Sequence, residues 1–230
     1  MARSPLTFQS AFDDVCAALG YTPAQIAANA ALQSKLLKIF NRSYQVGYDL
    51  PGAGWEDART GAEITPVDGL IDFATLGDAR EWVVWSADPR SHEDFARRVS
   101  FTTNLNGILI SEAGLDTVWV EWMPEVVSFV TTEWTAATYA VGDKRLNDGR
   151  CYRSLVSHTG AVFADDLAAA NWLLMPVLGI LHEFLIQHSH GVYLTENGQP
   201  ETGYRMMGSA KRDLSELAVR EMDRATRNAS

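Results

Sequence analysis

Three histidines fall within a short stretch, His182, His188 and His190, and imidazoles this close in sequence raise the question of a metal site. Two ligands on one helix face need i, i+4 spacing, whereas these residues are six, eight and two apart. No metal or other cofactor is therefore expected. Placed at a helix end, the rings would interact with its last carbonyls instead. Ser157-His158, with Asp165 and Asp166 downstream, supplies the residue types of a hydrolytic triad but lacks the glycines of a nucleophile elbow. The acidic pairs Asp13-Asp14, Glu56-Asp57 and Asp165-Asp166 have the side chains for acid–base work. They fall at helix starts, helix sides or loops, where carboxylates serve solvation and the helix dipole. Gly142-Asp143 and Asp148-Gly149 carry turn chemistry, glycine supplying positive φ and aspartate bonding its own backbone. The chain has no Gly-x-x-x-x-Gly-Lys-Ser/Thr phosphate loop. The expectation is a protein that is not an enzyme, with catalytic residues none and metal none.

The composition points the same way. A net charge of −10 disfavours broad binding to a phosphate backbone, which needs clustered Lys and Arg to displace counterions. It suits a surface past which DNA slides without sticking. Seven tryptophans among 230 residues predict an ordered, globular chain, because disordered chains are poor in aromatics. No apolar run approaches the ~20 residues that span a bilayer, and Met1-Ala2-Arg3-Ser4-Pro5 lacks the apolar stretch of a secretion signal. A protein made and kept in a cytosol, without membrane contact, is expected. Cys16 and Cys151 are too few for a disulfide framework and read as small buried hydrophobes.

The elements that would position these groups come in three textures. Phe8, Phe12, Val15 and Leu19 share one face of a helix that Gly20 stops. Thr22-Pro23-Ala24-Gln25 carries a capping box and a first-turn proline, and predicts a second helix lined by Leu32, Leu36, Ile39, Phe40 and Tyr44. Pro51-Gly52-Ala53-Gly54 closes this part. Short β-prone runs follow at Ala62–Ile64, Gly69–Ile71, Glu81–Trp85, Arg98–Phe101, Gly107–Ile110 and Thr117–Trp122, with Asn106-Gly107 as a hairpin signal. In the last run Val118 and Val120 share one face and Trp119 takes the other. After a compact aromatic segment, Pro176 is expected to open a helix bearing Val177, Leu181, Phe184, Leu185 and His188 on one side. Asn197-Gly198 ends it, and a last helix from Pro200 to Arg227 carries the stripe Met207, Ala210, Leu214, Leu217 and Ala218. The predicted class is α+β: a helical bundle formed by the N- and C-terminal helices, with antiparallel β-structure inserted. The expected divisions are 1–58, 59–130, 131–175 and 176–230.

The aromatic segment opens on Trp134-Thr135-Ala136-Ala137-Thr138-Tyr139-Ala140-Val141-Gly142-Asp143, continues through Asp148-Gly149-Arg150-Cys151-Tyr152-Arg153-Ser154 and closes at Asn171-Trp172. This order of leading Trp, Tyr before a Gly-Asp turn, Gly before a second aromatic strand and closing Trp resembles the small β-modules called chitin-binding type 3. The resemblance implies a glycan site on Trp134, Tyr139, Tyr152 and Trp172. Sugar-binding members expose further aromatics after the second strand, where this chain has Leu155-Val156-Ser157-His158-Thr159. The alternative is that the four aromatics are the module's own core, given the large apolar area each buries.

A wider pattern surrounds the module. A β-rich section from Asp88-Pro89-Arg90 precedes it, and a helical tail follows through Tyr193–Glu201, Ser209–Leu214 and Arg220–Arg224. Together these resemble tailed-bacteriophage virion proteins of the head-to-tail connector type, the adaptors of the neck. What this resemblance implies is a structural viral protein made in the host cytoplasm and located in the virion neck between capsid and tail. Neighbouring copies would form a homo-oligomeric ring, often twelvefold, between the portal protein and a downstream neck or tail-terminator protein, with DNA only passing through the channel. Met206, Met207, Lys211, Arg212, Arg220, Arg224 and Arg227 are the candidate portal or subunit contacts. They read equally as a solvated helix face with a methionine in its core stripe. A glycan-binding protein of a phage baseplate or tail is the alternative function.

Overall fold

A computed structural model describes residues 6–50, 60–73, 79–89, 91, 96–112, 114–124, 126 and 128–228. Residues 1–5, the expected turn at 51–54, the pair Glu56-Asp57 and Arg90 lie outside the described residues. The chain is mixed α and β with small antiparallel sheets. It divides into two compact units, one of residues 1–54 with 127–230 and one of residues 55–126.

In the first unit, helix α1 spans Phe8–Ala18, with the Thr7 hydroxyl accepting from the Ser10 amide at its start. It buries Phe8, Ala11, Phe12, Val15 and Cys16, while Leu19 caps the end and is half-exposed. The capping box at Thr22 and Gln25 forms as the sequence predicts, but it opens only the short α2, Pro23–Ala27. A new helix, α3, spans Ala30–Tyr48. The break has a local cause. Asn29 leaves helical geometry and its side-chain oxygen accepts from the Leu32 amide, an N-cap that competes with helix continuation. Leu36, Ile39, Phe40 and Tyr44 are buried on α3 as expected, whereas Leu32 in its first turn is half-exposed.

Near the C-terminus, helix begins later than Pro176 predicts. A single 3₁₀ turn, Gly179–Leu181, precedes the helix His182–Glu196. The Tyr44 hydroxyl donates to the Pro176 carbonyl, which is thereby engaged outside any helix, and Gly179 is a weak helix former. Asn197 and Gly198, the latter at φ +85°, end this helix, and the last one spans Pro200–Asn228. The two cross closely. A Cβ on Gly203 would lie 2.4 Å from the Gly191 carbonyl oxygen, and one on Gly191 would lie 2.8 Å from that of Gly203.

Helices from both ends of the chain pack on one another. Gly47 of α3 lies under the ring of Phe184, the Tyr21 and Tyr193 hydroxyls are 2.7 Å apart, and Asp14 meets His182 at 2.9 Å. Their core includes a ring of aromatics, Phe8, Phe12, Phe40 and Tyr44, completed by Phe129 from far along the chain. Asn41 fixes that distant residue, accepting from the Phe129 amide at 2.8 Å and donating to its carbonyl at 3.0 Å. Asn41→Ala is expected to lower unfolding stability by about 1–3 kcal/mol, because it orphans both backbone groups. Chemical denaturation monitored by tryptophan fluorescence would show it; an unchanged midpoint would mean the two bonds carry no net weight.

The second unit has two three-stranded antiparallel sheets. Strands β1 (Thr60–Ile64), β6 (Val118–Pro124) and β3 (Ala79–Trp85) form one, in the order β1-β6-β3. Strands β2 (Leu70–Asp72), β5 (Gly107–Ile110) and β4 (Phe101–Thr103) form the other, in the order β2-β5-β4. Ile71, Val84, Val99, Ile108, Ile110, Val118 and Val120 make their common core. Val118 and Val120 face inward and Trp119 outward, as the alternation requires. Two expectations shift. The predicted run Arg98–Phe101 is split: Arg98 bridges Trp85 of one sheet, whereas β4 begins at Phe101 in the other, a corner where the chain changes sheets. In the β4–β5 hairpin the turn is made by Asn104, whose side chain accepts from the amides of Asn106 and Gly107. Gly107 serves close approach, since a Cβ there would sit 2.0 Å from the Ile71 carbonyl oxygen.

Candidate functional site

The segment resembling a carbohydrate-binding module folds within the first unit. Strands β8 (Lys144–Asn147), β9 (Arg150–Ser154) and β11 (Trp172–Met175) form a sheet in the order β11-β9-β8. Strands β7 (Ala137–Tyr139) and β10 (His158–Gly160) form a two-stranded ladder. The turn residues do what their types predict. Asp148 and Gly149 take φ of 49° and 69° between β8 and β9, and Asp143 accepts from the Ala140 amide at the Gly142 turn.

Trp172 pairs across the sheet with Ser154, and Tyr152 lies two residues from Ser154 on the same strand, so Trp172 and Tyr152 share a face. On it the Tyr139 ring meets Trp172 at 4.9 Å, edge to face, and the Trp134 ring lies 6.3 Å from Tyr139. Tyr139, Tyr152 and Trp172 are 1%, 6% and 4% exposed and Trp134 is partly buried, so ring faces on which a sugar would stack are turned into the protein. The Tyr139 hydroxyl donates to the Thr135 carbonyl and accepts from the Thr135 amide, closing the loop between Trp134 and β7. Phe163 is a fifth member, on the short helix α4 (Phe163–Ala168), against Tyr152 at 4.9 Å. Its only signal in the sequence is a lone aromatic inside a run of small and acidic residues. Where sugar-binding modules carry extra aromatics, Leu155 and Val156 are exposed aliphatics.

The opposite face of the same sheet presents Leu146, Cys151 and Met175, all buried. The Cys151 thiol donates to the Val130 carbonyl, and the Gln9 amide of α1 donates to the Gly149 carbonyl. Burial pushes the Cys151 thiol up to about 11 and that of Cys16 on α1 up to about 12. Both thiols are therefore expected to resist iodoacetamide at pH 8 in the native protein and to react in denaturant, counted by mass spectrometry. Rapid native alkylation of either would contradict this packing.

A Ser–His–Asp grouping does form, but around Ser154 and not Ser157. Ser154 Oγ lies 3.4 Å from His158 Nδ1, and His158 Nε2 lies 3.7 Å from Asp166 Oδ2. It is not built for acyl transfer. Ser154 is 1% exposed and donates its proton to the Val156 carbonyl at 2.7 Å, and His158 Nδ1 is bound to that same carbonyl at 3.0 Å. Ser157 and Asp165 lie exposed beside it.

The histidines disperse. His182 pairs with Asp14, His188 is buried against Ser43 Oγ at 2.9 Å, and His190 is half-exposed. Among the described residues no group of three His, Cys, Asp or Glu could hold a metal ion, and no helix is long and apolar enough to cross a membrane. Comparison with known proteins supplies no precedent. No family model, curated protein or solved structure matches this chain. The candidate contact residues of the last helix divide by face. Met207 packs toward Gly191 and Met206 is half-buried, whereas Lys211, Arg212 and Arg220 are exposed. Arg220 reaches Glu216 at 3.6 Å, an exposed pair of small weight. Arg224 and Arg227 lie on the helix, with side chains outside the described residues.

Proposed function

We propose that this chain is a structural virion protein, an adaptor of the head-to-tail connector of a tailed phage, and that it is not an enzyme. In this reading its terminal helices are a bundle and the β-elements are insertions that emerge from it. The observation that carries it is the packing of α1 and α3 on the helix His182–Glu196, which brings both ends of the chain into one unit. A ring subunit needs such a rigid body to hold repeated contacts with its neighbours. The buried aromatics speak for a structural role of the module and against the glycan-binding alternative.

The test is to co-express the chain with the portal protein of its own genome and image the purified complex by electron microscopy. A ring of this protein seated on the portal is expected. A chain that leaves the portal unbound and is missing from the neck of intact particles would overturn the proposal.

A further inference from the structure

One nitrogen of His158 is committed by its neighbours. Nδ1 lies 3.0 Å from the Val156 carbonyl, which can only accept, and 3.4 Å from Ser154 Oγ, whose own proton goes to that same carbonyl. Nδ1 therefore carries a hydrogen. The other nitrogen, Nε2, faces Asp166 Oδ2 at 3.7 Å, and the two side chains are 10% and 11% exposed. Neither atom has a hydrogen-bond partner among the described residues. A neutral ring with its hydrogen on Nδ1 would turn a lone pair toward a buried carboxylate oxygen, leaving two acceptors with nothing to accept. A water donating to both at ordinary lengths would hold them about 4.4 Å apart, wider than the gap. A hydrogen on Nε2 satisfies both atoms, and closing the gap by about 0.8 Å makes an ordinary charge-assisted bond.

The pair sits where it can fasten an element. Of residues 161–170, which include α4, only Phe163 and Asp166 are not exposed. Phe163 lies against the aromatic face, with Tyr152 at 4.9 Å, Trp134 at 5.7 Å and Trp172 at 6.1 Å. Asp166 packs on Gly160 of β10, where any Cβ would collide with its carboxylate. Through its side chains, α4 is thus held on the module by one ring and one carboxylate.

We infer that His158 and Asp166 form an imidazolium–carboxylate pair that latches α4 over the aromatic face, and that the latch opens when the pair gives up its proton as pH rises. Release turns two buried acceptors on each other and removes one of α4's two anchors. The direction is opposite to that at His188, where burial keeps the proton out of the fold. Around the His158 ring, β7 contributes Tyr139 at 5.5 Å, its hydroxyl turned to Thr135, and the Arg145 guanidinium of β8 lies 5.2 Å from that same Tyr139 ring. β11 contributes Trp172 at 5.4 Å, β9 contributes Ser154 with Tyr152 on the same face, and α4 adds the exposed Asp165. None of these bonds Nε2.

Nitrogen-15 NMR of the histidine-labelled full chain at pH 7.5 tests the pair, with His158 assigned by its loss in His158→Gln. Hydrogens on both ring nitrogens are expected. A ring with hydrogen on Nδ1 alone would overturn the pair. Asp166→Asn offers Nε2 a permanent amide hydrogen, so its His158 should carry one ring hydrogen and its latch should no longer respond to pH. Hydrogen exchange of residues 161–171, taken relative to α3 and corrected for the intrinsic rise of exchange with pH, reads the latch. In the wild type protection should fall about tenfold between pH 7.5 and 10, and in Asp166→Asn it should stay level. In Asp166→Leu, which offers no hydrogen, it should be low throughout. Should that variant fail to fold, the wild-type and asparagine profiles still decide. Level protection in the wild type, or the same fall in both, would overturn the latch.

Discussion

Trp172→Ala is expected to cost about 3–5 kcal/mol of unfolding stability, the range for truncating a large buried aromatic. Trp172 is 4% exposed, and its ring meets Tyr139 at 4.9 Å, His158 at 5.4 Å and Phe163 at 6.1 Å. Truncation leaves three rings facing a void on the side of the sheet opposite Cys151. Because that sheet's other face is buried and tied to α1 through Gly149, the damage is expected to spread beyond the module. The denaturant midpoint should fall, and the two cysteines should become reactive at lower denaturant than in the wild type. Trp172→Phe, which keeps part of the apolar volume, should recover a share of the loss. Retention on chitin separates this account from the glycan alternative. A core residue predicts the same background retention for wild type and variant, whereas a stacking platform predicts a stable Trp172→Ala protein that no longer binds.

How much of this was legible in the sequence depended on how local the cause was. The capping box at Thr22 and Gln25, the Asp148-Gly149 turn and the Asn197-Gly198 stop are set by neighbouring atoms, and each forms where its residues predict. The breaks at Asn29 and before His182 were missed because periodic apolar residues run across both. In the first case a side-chain cap wins locally, and in the second a hydroxyl 132 residues away engages the Pro176 carbonyl. Phe129 was counted with the β-insertion, yet it closes the aromatic ring of the N-terminal helices, because only folding brings Asn41 to its backbone. The aromatic quartet was visible as residue types, but whether its rings face water or each other follows from sheet register.

Acidification is expected to destabilise this protein through His188 before its carboxylates titrate. His188 is 3% exposed, stacked on Phe184 at 4.9 Å and held to Ser43 Oγ, which ties the helix His182–Glu196 to α3. Burial lowers its pKa to about 4, and the positive charges of Lys211 and Arg42 add to the effect. In the unfolded chain the same group takes up its proton near pH 6.5. The unfolded state therefore binds more protons between those values, so stability is full above pH 6.5, falls as pH drops toward 4, and loses nothing more from this residue below that. The whole shift is on the order of 3 kcal/mol, of which about 2 kcal/mol disappears between pH 6.5 and 5. His188→Gln removes the proton site and keeps a polar group for Ser43. It should be less stable than the wild type at pH 7.5 and should show a flatter stability profile from pH 6.5 to 5, measured by urea denaturation at fixed ionic strength. Parallel profiles for the two proteins would mean that His188 is protonated as readily in the fold as in water, and that the contact with Ser43 is open to solvent.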